Sequence, residues 1–179
     1  MDSINRNQPE HNKEDLAAAD AVSRIREMSD DADSCFFCTT PLPDSETGGT
    51  RPMAIQEADG AGALWFLSAS DSHKNAEIQA DPAVRLYLQS SKHSGFLVLD
   101  GHASISRDPQ RIDDLWNPIL KTWFTGGKDD PRITVIKVAP RSGYYWDNKH
   151  GELVSATKMV IGAAIGKTLD DSIEGSVTP

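Results

Sequence analysis

Apolar and polar residues alternate along several short stretches of the chain, and this period of two predicts β-strands. These stretches are SCFFCTT, TRPMAIQEA, ALWFLSA, AVRLYLQS, GFLVLDGHASISR, RITVIKVAP and SGYYWDN. Turn-forming segments such as PLPDSETGG and DGAG separate them, as tight connections between antiparallel strands require. Gly101 falls in the apolar row of the fifth stretch, which indicates a bulge or a close backbone approach at that position.

Helical spacing of apolar residues predicts helices between and around these strands. The first lies within EDLAAADAVSRIREMS and the second within DSHKNAEIQADP, where Asp71 or Ser72 offers an N-cap and Pro82 marks the exit. The third begins at Asp108, and Pro118 should kink or divide it. A fourth is predicted in SATKMVIGAAIGK. The third helix has an apolar stripe that we expect to be buried, made of Ile112, Leu115, Trp116, Ile119, Leu120 and Trp123.

The order of these elements predicts a mainly β protein of the α+β class, a small antiparallel β-barrel with flanking helices. There is no regular strand–helix alternation, no GxGxxG and no phosphate loop, so a doubly wound nucleotide-binding sheet is not expected. We expect residues 1–13 to form a disordered tail, residues 14–167 a single domain and residues 168–179 a C-terminal tail.

Composition narrows the classes of function. With 179 residues, 38% of them hydrophobic and 25% charged, the chain resembles an ordinary one-domain globular protein. Its formal net charge of −9 repels polyanions, so nucleic-acid binding is not expected. No stretch has the apolar core of a signal peptide or the length of a membrane span, so we expect a cytoplasmic protein without a membrane partner.

The two cysteines form the motif CFFC, which is open to two interpretations. Cys35 and Cys38 could be a redox or metal-binding pair, or two buried thiols. The motif lies in a predicted strand, where residues three apart point to opposite faces, so the second interpretation is favoured. His102 and His150 lack ligand spacing, and no nucleophile elbow occurs, so we predict no metal site and assign no catalytic residue.

The start of the second predicted helix has the composition of an anion site. Free backbone N–H groups and the helix dipole attract negative charge there. His73 and Lys74 add positive charge, and hydroxyl donors precede them at Ser68, Ser70 and Ser72. Such a pocket could hold a phosphate monoester. Alternatively, a serine caps the helix and Lys74 pairs with Glu77 across one turn.

Arg51 and the tryptophans are further candidates. Arg51 shares a strand face with Met53, so its guanidinium could hydrogen-bond the carbonyl edge of a flat heteroaromatic ring. Alternatively, it is a solvated residue at a strand edge. The four tryptophans, Trp65, Trp116, Trp123 and Trp146, fit a core or a dimer contact as well as a ligand.

Together, these segments resemble a known family. RPMAI, LWFLSASDSHKNAEIQADPAVRLYL, GHASI and LWNPILKTWFTGGKDDPRITVIKVAPRSGYYWD are similar in order and spacing to the general stress protein 26-like branch of the pyridoxamine 5'-phosphate oxidase-like, FMN-binding split-barrel superfamily. The resemblance spans roughly residues 14–167. It implies a split β-barrel that forms a homodimer and binds FMN at the subunit interface.

The resemblance also implies roles for individual residues. The strand of Arg51, Pro52 and Met53 would lie along the isoalloxazine ring. The strand of Phe66, Leu67 and Ser68 would lie beside it. The remaining positions are a phosphate-binding segment of Ser72, His73 and Lys74, a flavin contact at Gln89, and pocket aromatics at Trp116, Trp123 and Trp146.

One departure limits what the resemblance implies about activity. Pyridoxamine phosphate oxidases end in an arginine- and histidine-bearing segment that recognises the vitamin phosphate, whereas this sequence ends in IEGSVTP. We therefore expect an FMN-dependent oxidoreductase with another small-molecule substrate or electron donor. The alternatives are a non-catalytic flavin-binding stress sensor and a relative that uses FAD or the deazaflavin F420.

Overall fold

A computed structural model describes residues 12–43, 45–90, 95–148 and 172–179. Within these ranges, nine strands form one sheet. The strands are β1 (Leu16–Ala17), β2 (Ser34–Thr39), β3 (Thr50–Ala54), β4 (Glu57–Ala58), β5 (Leu64–Ala69), β6 (Ala83–Gln89), β7 (Phe96–Ser106), β8 (Ile133–Asn148) and β9 (Ser172–Thr178). The helices are α1 (Ala18–Ala32), α2 (His73–Ala80) and α3 (Pro109–Leu115), with 3₁₀ turns at Pro118–Thr122 and Gly127–Asp129.

The sheet is a split barrel, as the sequence predicted. Its strand order is β1-β9-β8-β7-β6-β2-β3, and β5 pairs with the first half of β8 while β9 pairs with the second half. All pairs are antiparallel except β1 with β9. The strands β3 and β5 do not form a ladder with each other, although the Gln56 N–H donates to the Trp65 carbonyl at 2.9 Å just beyond β3. A groove therefore opens between β3 and β5.

The barrel interior is the main hydrophobic core. Phe37 of β2 and Phe66 of β5 meet edge to face, with ring centroids 5.2 Å apart, and neither ring is exposed. Helix α1 covers one end of this core with Ile25 and Met28, both of which are buried. Burial of these side chains supplies the main stabilisation of the fold.

The bulge predicted at Gly101 is confirmed. The β7–β8 register shifts there, since Gly101 opposes Pro140 while Asp100 opposes Ser142. A Cβ atom on Gly101 would lie 2.5 Å from the Ala139 carbonyl oxygen, so only glycine allows the two backbones to approach this closely. The predicted strands RITVIKVAP and SGYYWDN are one continuous strand, because the bulge accommodates the proline without ending the ladder.

The predicted division of the third helix is also confirmed, but its buried stripe is partly wrong. Asp108 caps α3 by accepting hydrogen bonds from the backbone of Gln110 and Arg111, and the α-helix ends before Pro118. Beyond this point the helical period of 3.6 no longer applies. As a result Ile119 and Trp123 are 65% and 64% exposed.

Residues 172–178 form a strand rather than the predicted tail. The strand β9 pairs with β8, and Val177 is fully buried. A Cβ atom on Gly175 would lie 1.8 Å from the Glu14 carbonyl oxygen, which shows how closely the two terminal segments pack. Sequence analysis missed this strand because SIEGSVT contains few apolar residues.

The predicted helix in SATKMVIGAAIGK lies outside the described residues. Within the described residues, no helix is long and apolar enough to span a bilayer.

Candidate functional site

The start of α2 borders a cavity of about 300 Å³, which we call the anion pocket. Ser72 has the extended backbone of an N-cap residue, and α2 begins at His73 as the sequence predicted. Of the predicted site residues, the structure brings together Arg51, Ser72, His73 and Lys74 around this cavity. Its full lining is Ser45, Glu46, Thr47, Arg51, Ser72, His73 and Lys74.

Lys74 is the half-buried cation of the anion pocket. No hydrogen bond or ion pair joins its ammonium group to another of the described residues. Burial lowers the pKa of Lys74, and the positive charge of Arg51 lowers it further. A negatively charged ligand would offset both effects, so the local electrostatics favour an anion.

Arg51 occupies the anion pocket through a contact that sequence analysis missed. Its Nη2 donates to Glu77 Oε2 at 2.5 Å, and its Nη1 donates to Thr39 Oγ1 at 2.6 Å. Glu77 therefore pairs with Arg51. The alternative interpretation, in which Glu77 pairs with Lys74, is wrong. Arg51 therefore lines the anion pocket together with Ser72, His73 and Lys74, and its expected contact with the carbonyl edge of a ring stays a prediction.

The opening between β3 and β5 forms a second cavity of about 380 Å³, which we call the ring groove. Pro52 and Met53 line it from β3, and Leu67 lines it from β5. The exposed Trp123 lies along it as well, and Lys74 lines both this groove and the anion pocket. A flat ligand with an anionic tail fits this arrangement, because a mostly apolar slot adjoins a cationic pocket.

Ser68 and Phe66 are engaged inside the protein. The Ser68 hydroxyl donates to Asn75 Oδ1 at 2.7 Å, and Asn75 Nδ2 donates to Thr134 Oγ1 at 2.9 Å. Thr134 returns a hydrogen bond to the Ser68 carbonyl at 2.9 Å. This buried network fixes the first turn of α2 against β5 and β8. Phe66 packs in the core, so only its backbone could reach a ligand.

Three predicted site residues lie away from both cavities within one chain. Gln89 lines a third groove, of about 430 Å³, on the outer side of β2, β6 and β7. Trp116 is half-buried against a small cluster that includes Leu120 and Phe124. Trp146 is an exposed residue opposite Phe96 in the β7–β8 ladder. The outer side of the sheet presents exposed aromatic residues that we call the aromatic face, namely Phe36, Tyr87, Phe96 and Trp146.

Cys35 fits the interpretation as a buried thiol, whereas Cys38 is only partly buried. Cys35 is buried in the core, and burial, with a smaller effect of Cys38, raises its pKa to about 12. A thiol with so high a pKa is a poor nucleophile and a poor metal ligand at neutral pH. Among the residues that the structure describes, no three histidine, cysteine or acidic residues cluster as a metal site.

Two curated proteins are similar in sequence. Protein bli-3 of Neurospora crassa is 29% identical over 133 residues, or 68% of this chain. General stress protein 26 of Bacillus subtilis is 28% identical over 80 residues, or 43% of this chain. The matches span 64% and 56% of these relatives, less than two thirds of the length of either.

Solved structures share the fold. A candidate general stress protein 26 from Jannaschia sp. CCS1 superposes with a TM-score of 0.76, covering 90% of this chain and all of that one, at 23% identity. The general stress FMN/FAD binding protein of Xanthomonas citri superposes with a TM-score of 0.60, covering 74% of this chain and 91% of that one, at 25% identity.

The family model described as "Pyridoxamine 5'-phosphate oxidase like" matches residues 20–170, which include every element that borders the anion pocket and the ring groove. The chain therefore belongs to the pyridoxamine 5'-phosphate oxidase-like family, and within the curated proteins it is similar to general stress protein 26.

Proposed function

We propose that the protein binds FMN, with the phosphate in the anion pocket and the isoalloxazine ring in the ring groove. Lys74 is the observation that carries this proposal, because this half-buried lysine lines both cavities and pairs with none of the other described residues. The similar Xanthomonas citri protein, whose name describes FMN/FAD binding, supports a flavin as the ligand.

The anion pocket suits a phosphate monoester. Lys74 and Arg51 supply positive charge, and Arg51 keeps N–H groups that neither Thr39 nor Glu77 uses. The backbone N–H groups at the start of α2 add donors, whereas the Ser72 hydroxyl already donates to Asn75 Oδ1 at 3.3 Å. The residue types present therefore fit the phosphate of FMN.

The ring groove suits a flat, mostly apolar ring. Its apolar walls are formed by Pro52, Met53 and Leu67. Trp123 adds an aromatic side chain that is 64% exposed in a single chain. Stacking on Trp123 would remove apolar area of both rings from water. FMN, once bound, would supply hydride or electron transfer, and the protein would supply binding, orientation and shielding from water.

A second copy of the chain is part of this proposal. The aromatic face is an apolar surface on a protein of net charge −9, and Pro52 connects it to the ring groove. A homodimer formed through this face would bury the exposed aromatic rings. It would also bring Gln89 and Trp146 of one protomer towards the ring groove of its partner.

Titration of the protein with FMN, FAD and riboflavin, followed by flavin fluorescence, tests the proposed ligand. Because the phosphate supplies charge-assisted contacts, FMN should bind at least about tenfold more tightly than riboflavin. Equal affinities would contradict the phosphate assignment, and tighter binding of FAD would favour FAD as the cofactor.

Catalysis is tested separately, with NADH and NADPH as electron donors in steady-state assays. Sustained oxidation of either one supports the proposed oxidoreductase. Tight FMN binding without reduction by any donor supports the alternative, a non-catalytic flavin-binding sensor.

A further inference from the structure

Glu77 is a fully buried carboxylate behind the anion pocket. Its Oε2 accepts hydrogen bonds from Thr39 at 2.6 Å and from Arg51 at 2.5 Å. Its Oε1 is buried without a hydrogen-bond partner among the described residues. A buried anionic oxygen without a donor is costly, so a role in packing alone does not account for a carboxylate at this position.

The charges around the pocket indicate what Glu77 does. Arg51 and Lys74 are two cations that line one small cavity, and the positive charge of Arg51 lowers the pKa of Lys74. The negative charge of Asp71, and to a smaller extent that of Glu77, raises the pKa of Lys74 and opposes this effect, but Glu77 is the one that pairs directly with Arg51. Burial raises the pKa of Glu77, but the side chains of Thr39, Ser45 and Arg51 together outweigh it and keep this pKa below its usual value, so Glu77 is ionised at neutral pH. Glu77 is therefore the built-in counter-charge of the pocket.

A phosphate and Glu77 compete for the same guanidinium. Arg51 already donates to Glu77 Oε2, so a phosphate would share this guanidinium with the carboxylate and bond to the N–H groups that remain. A carboxylate this close also repels a dianionic ligand, whether or not Arg51 has donors left.

We propose that Glu77 limits the affinity of the anion pocket for phosphate and, in exchange, stabilises the ligand-free protein by neutralising Arg51. This inference rests on the proposed function and concerns the regulation of the same site. FMN can then dissociate without destabilising the protein, because the Arg51–Glu77 ion pair keeps the empty pocket folded and the charge of Arg51 neutralised. An ion pair with a purely structural role would not distinguish FMN from riboflavin.

The test is Glu77→Gln, which keeps an acceptor for Arg51 and removes the negative charge. We expect the Kd for FMN to fall about tenfold, the Kd for riboflavin to stay within about twofold, and the melting temperature of the ligand-free protein to fall by about 3–8 °C. An unchanged or weaker affinity for FMN would overturn the inference.

Asp113→Asn is the matched control, because Asp113 is an exposed carboxylate paired with Lys128 outside both cavities and the aromatic face, and its loss changes the net charge equally. We expect it to leave the Kd for FMN within about twofold. An equal gain in affinity in this control would assign the effect to overall charge and overturn the inference.

A second variant pair covers the case in which Glu77→Gln alone fails to fold. Arg51→Gln leaves Glu77 as an uncompensated buried charge, so we expect it to bind FMN at least about tenfold more weakly than the wild type. Adding Glu77→Gln to Arg51→Gln should recover at least about fivefold of that loss, and no recovery would overturn the inference.

If the wild type binds neither FMN nor inorganic phosphate, the proposed function fails and the inference fails with it. If the wild type binds FMN and neither test gives a gain, only the inference fails.

Discussion

Lys74 and Trp123 line the same groove between β3 and β5, although they come from distant parts of the chain. Lys74 also lines the anion pocket, whereas Trp123 does not. In the proposed binding mode, Lys74 would recognise the charge and Trp123 the flat ring, so substitutions of the two residues should affect FMN and riboflavin differently.

Lys74→Ala should weaken FMN binding and spare riboflavin. Loss of one charge-assisted contact costs about 1.4–3 kcal/mol, so we expect the Kd for FMN to rise about 10- to 100-fold. Flavin fluorescence titration measures both ligands, and Lys121→Ala, at an exposed lysine outside both cavities, is the control. Unchanged affinity for FMN would remove Lys74 from the phosphate site.

Trp123→Ala should weaken both ligands by a similar factor. The ring contributes stacking and apolar contact, so we expect about a 5- to 30-fold rise in each Kd. Because Trp123 is largely exposed, the melting temperature of the ligand-free protein should hardly change. Ile119→Ala, equally exposed in the same segment, is the control and should leave both affinities unchanged. A loss confined to FMN would contradict ring stacking.

FMN affinity should fall as the pH rises, and it should begin to fall at a lower pH than it would if Lys74 had the pKa of an ordinary lysine. Burial first, and Arg51 second, lower the pKa of Lys74 below its usual value of 10.5. Phosphate binds the charged ammonium, so affinity is full below the lowered pKa and declines as the pH rises through it. Lys74→Arg stays charged and should flatten this decline. Kd values measured between about pH 7 and 10 test this, and parallel profiles for both proteins would contradict it.

Phe36→Glu should prevent the proposed dimer. Phe36 is 56% exposed, the most of the aromatic-face residues, and is in register with Pro52 and Tyr87, so the substitution would place a negative charge in the proposed interface. Light scattering at micromolar concentration should show a dimer for the wild type and a monomer for this variant. Ile119→Glu, outside the aromatic face, should leave the dimer intact. A monomeric wild type would contradict the proposed assembly.

Gly101→Ala should destabilise the β7–β8 pairing. Its Cβ atom would lie 2.5 Å from the Ala139 carbonyl oxygen, so backbone must shift at a cost of about 1–3 kcal/mol. We expect a fall in melting temperature of about 3–10 °C. At Gly60, a Cβ atom would meet nothing within 4 Å, so Gly60→Ala is the matched control. Equal stability of the two variants would show that the bulge tolerates a side chain.

Local signals made much of the fold predictable. Ser72 before α2, Asp108 and Pro109 before α3, and Gly101 in its strand act through the backbone of their own neighbourhood. Such signals are readable because they depend on a few adjacent residues. The start of α2 at SHK is one such local signal.

Long-range pairings explain what the sequence did not reveal. The contact of Glu77 with Arg51 joins a helix to a strand, and nothing near either residue marks the other as its partner. The exposure of Trp123 depends on where the chain leaves the helical period after Pro118. Strand β9 depends on its pairing with β8, since its own residues are mostly polar. In each case tertiary packing, and not local propensity, determines the contact, the exposure or the strand.

The central claim is that this chain holds FMN through the phosphate contact of Lys74. The most direct measurement is the absorption spectrum of the purified protein, combined with mass spectrometry of the cofactor released on denaturation. The account predicts a yellow protein that releases FMN, at a stoichiometry of about one per chain after incubation with excess FMN. A colourless protein that still takes up no FMN from a large excess would contradict it.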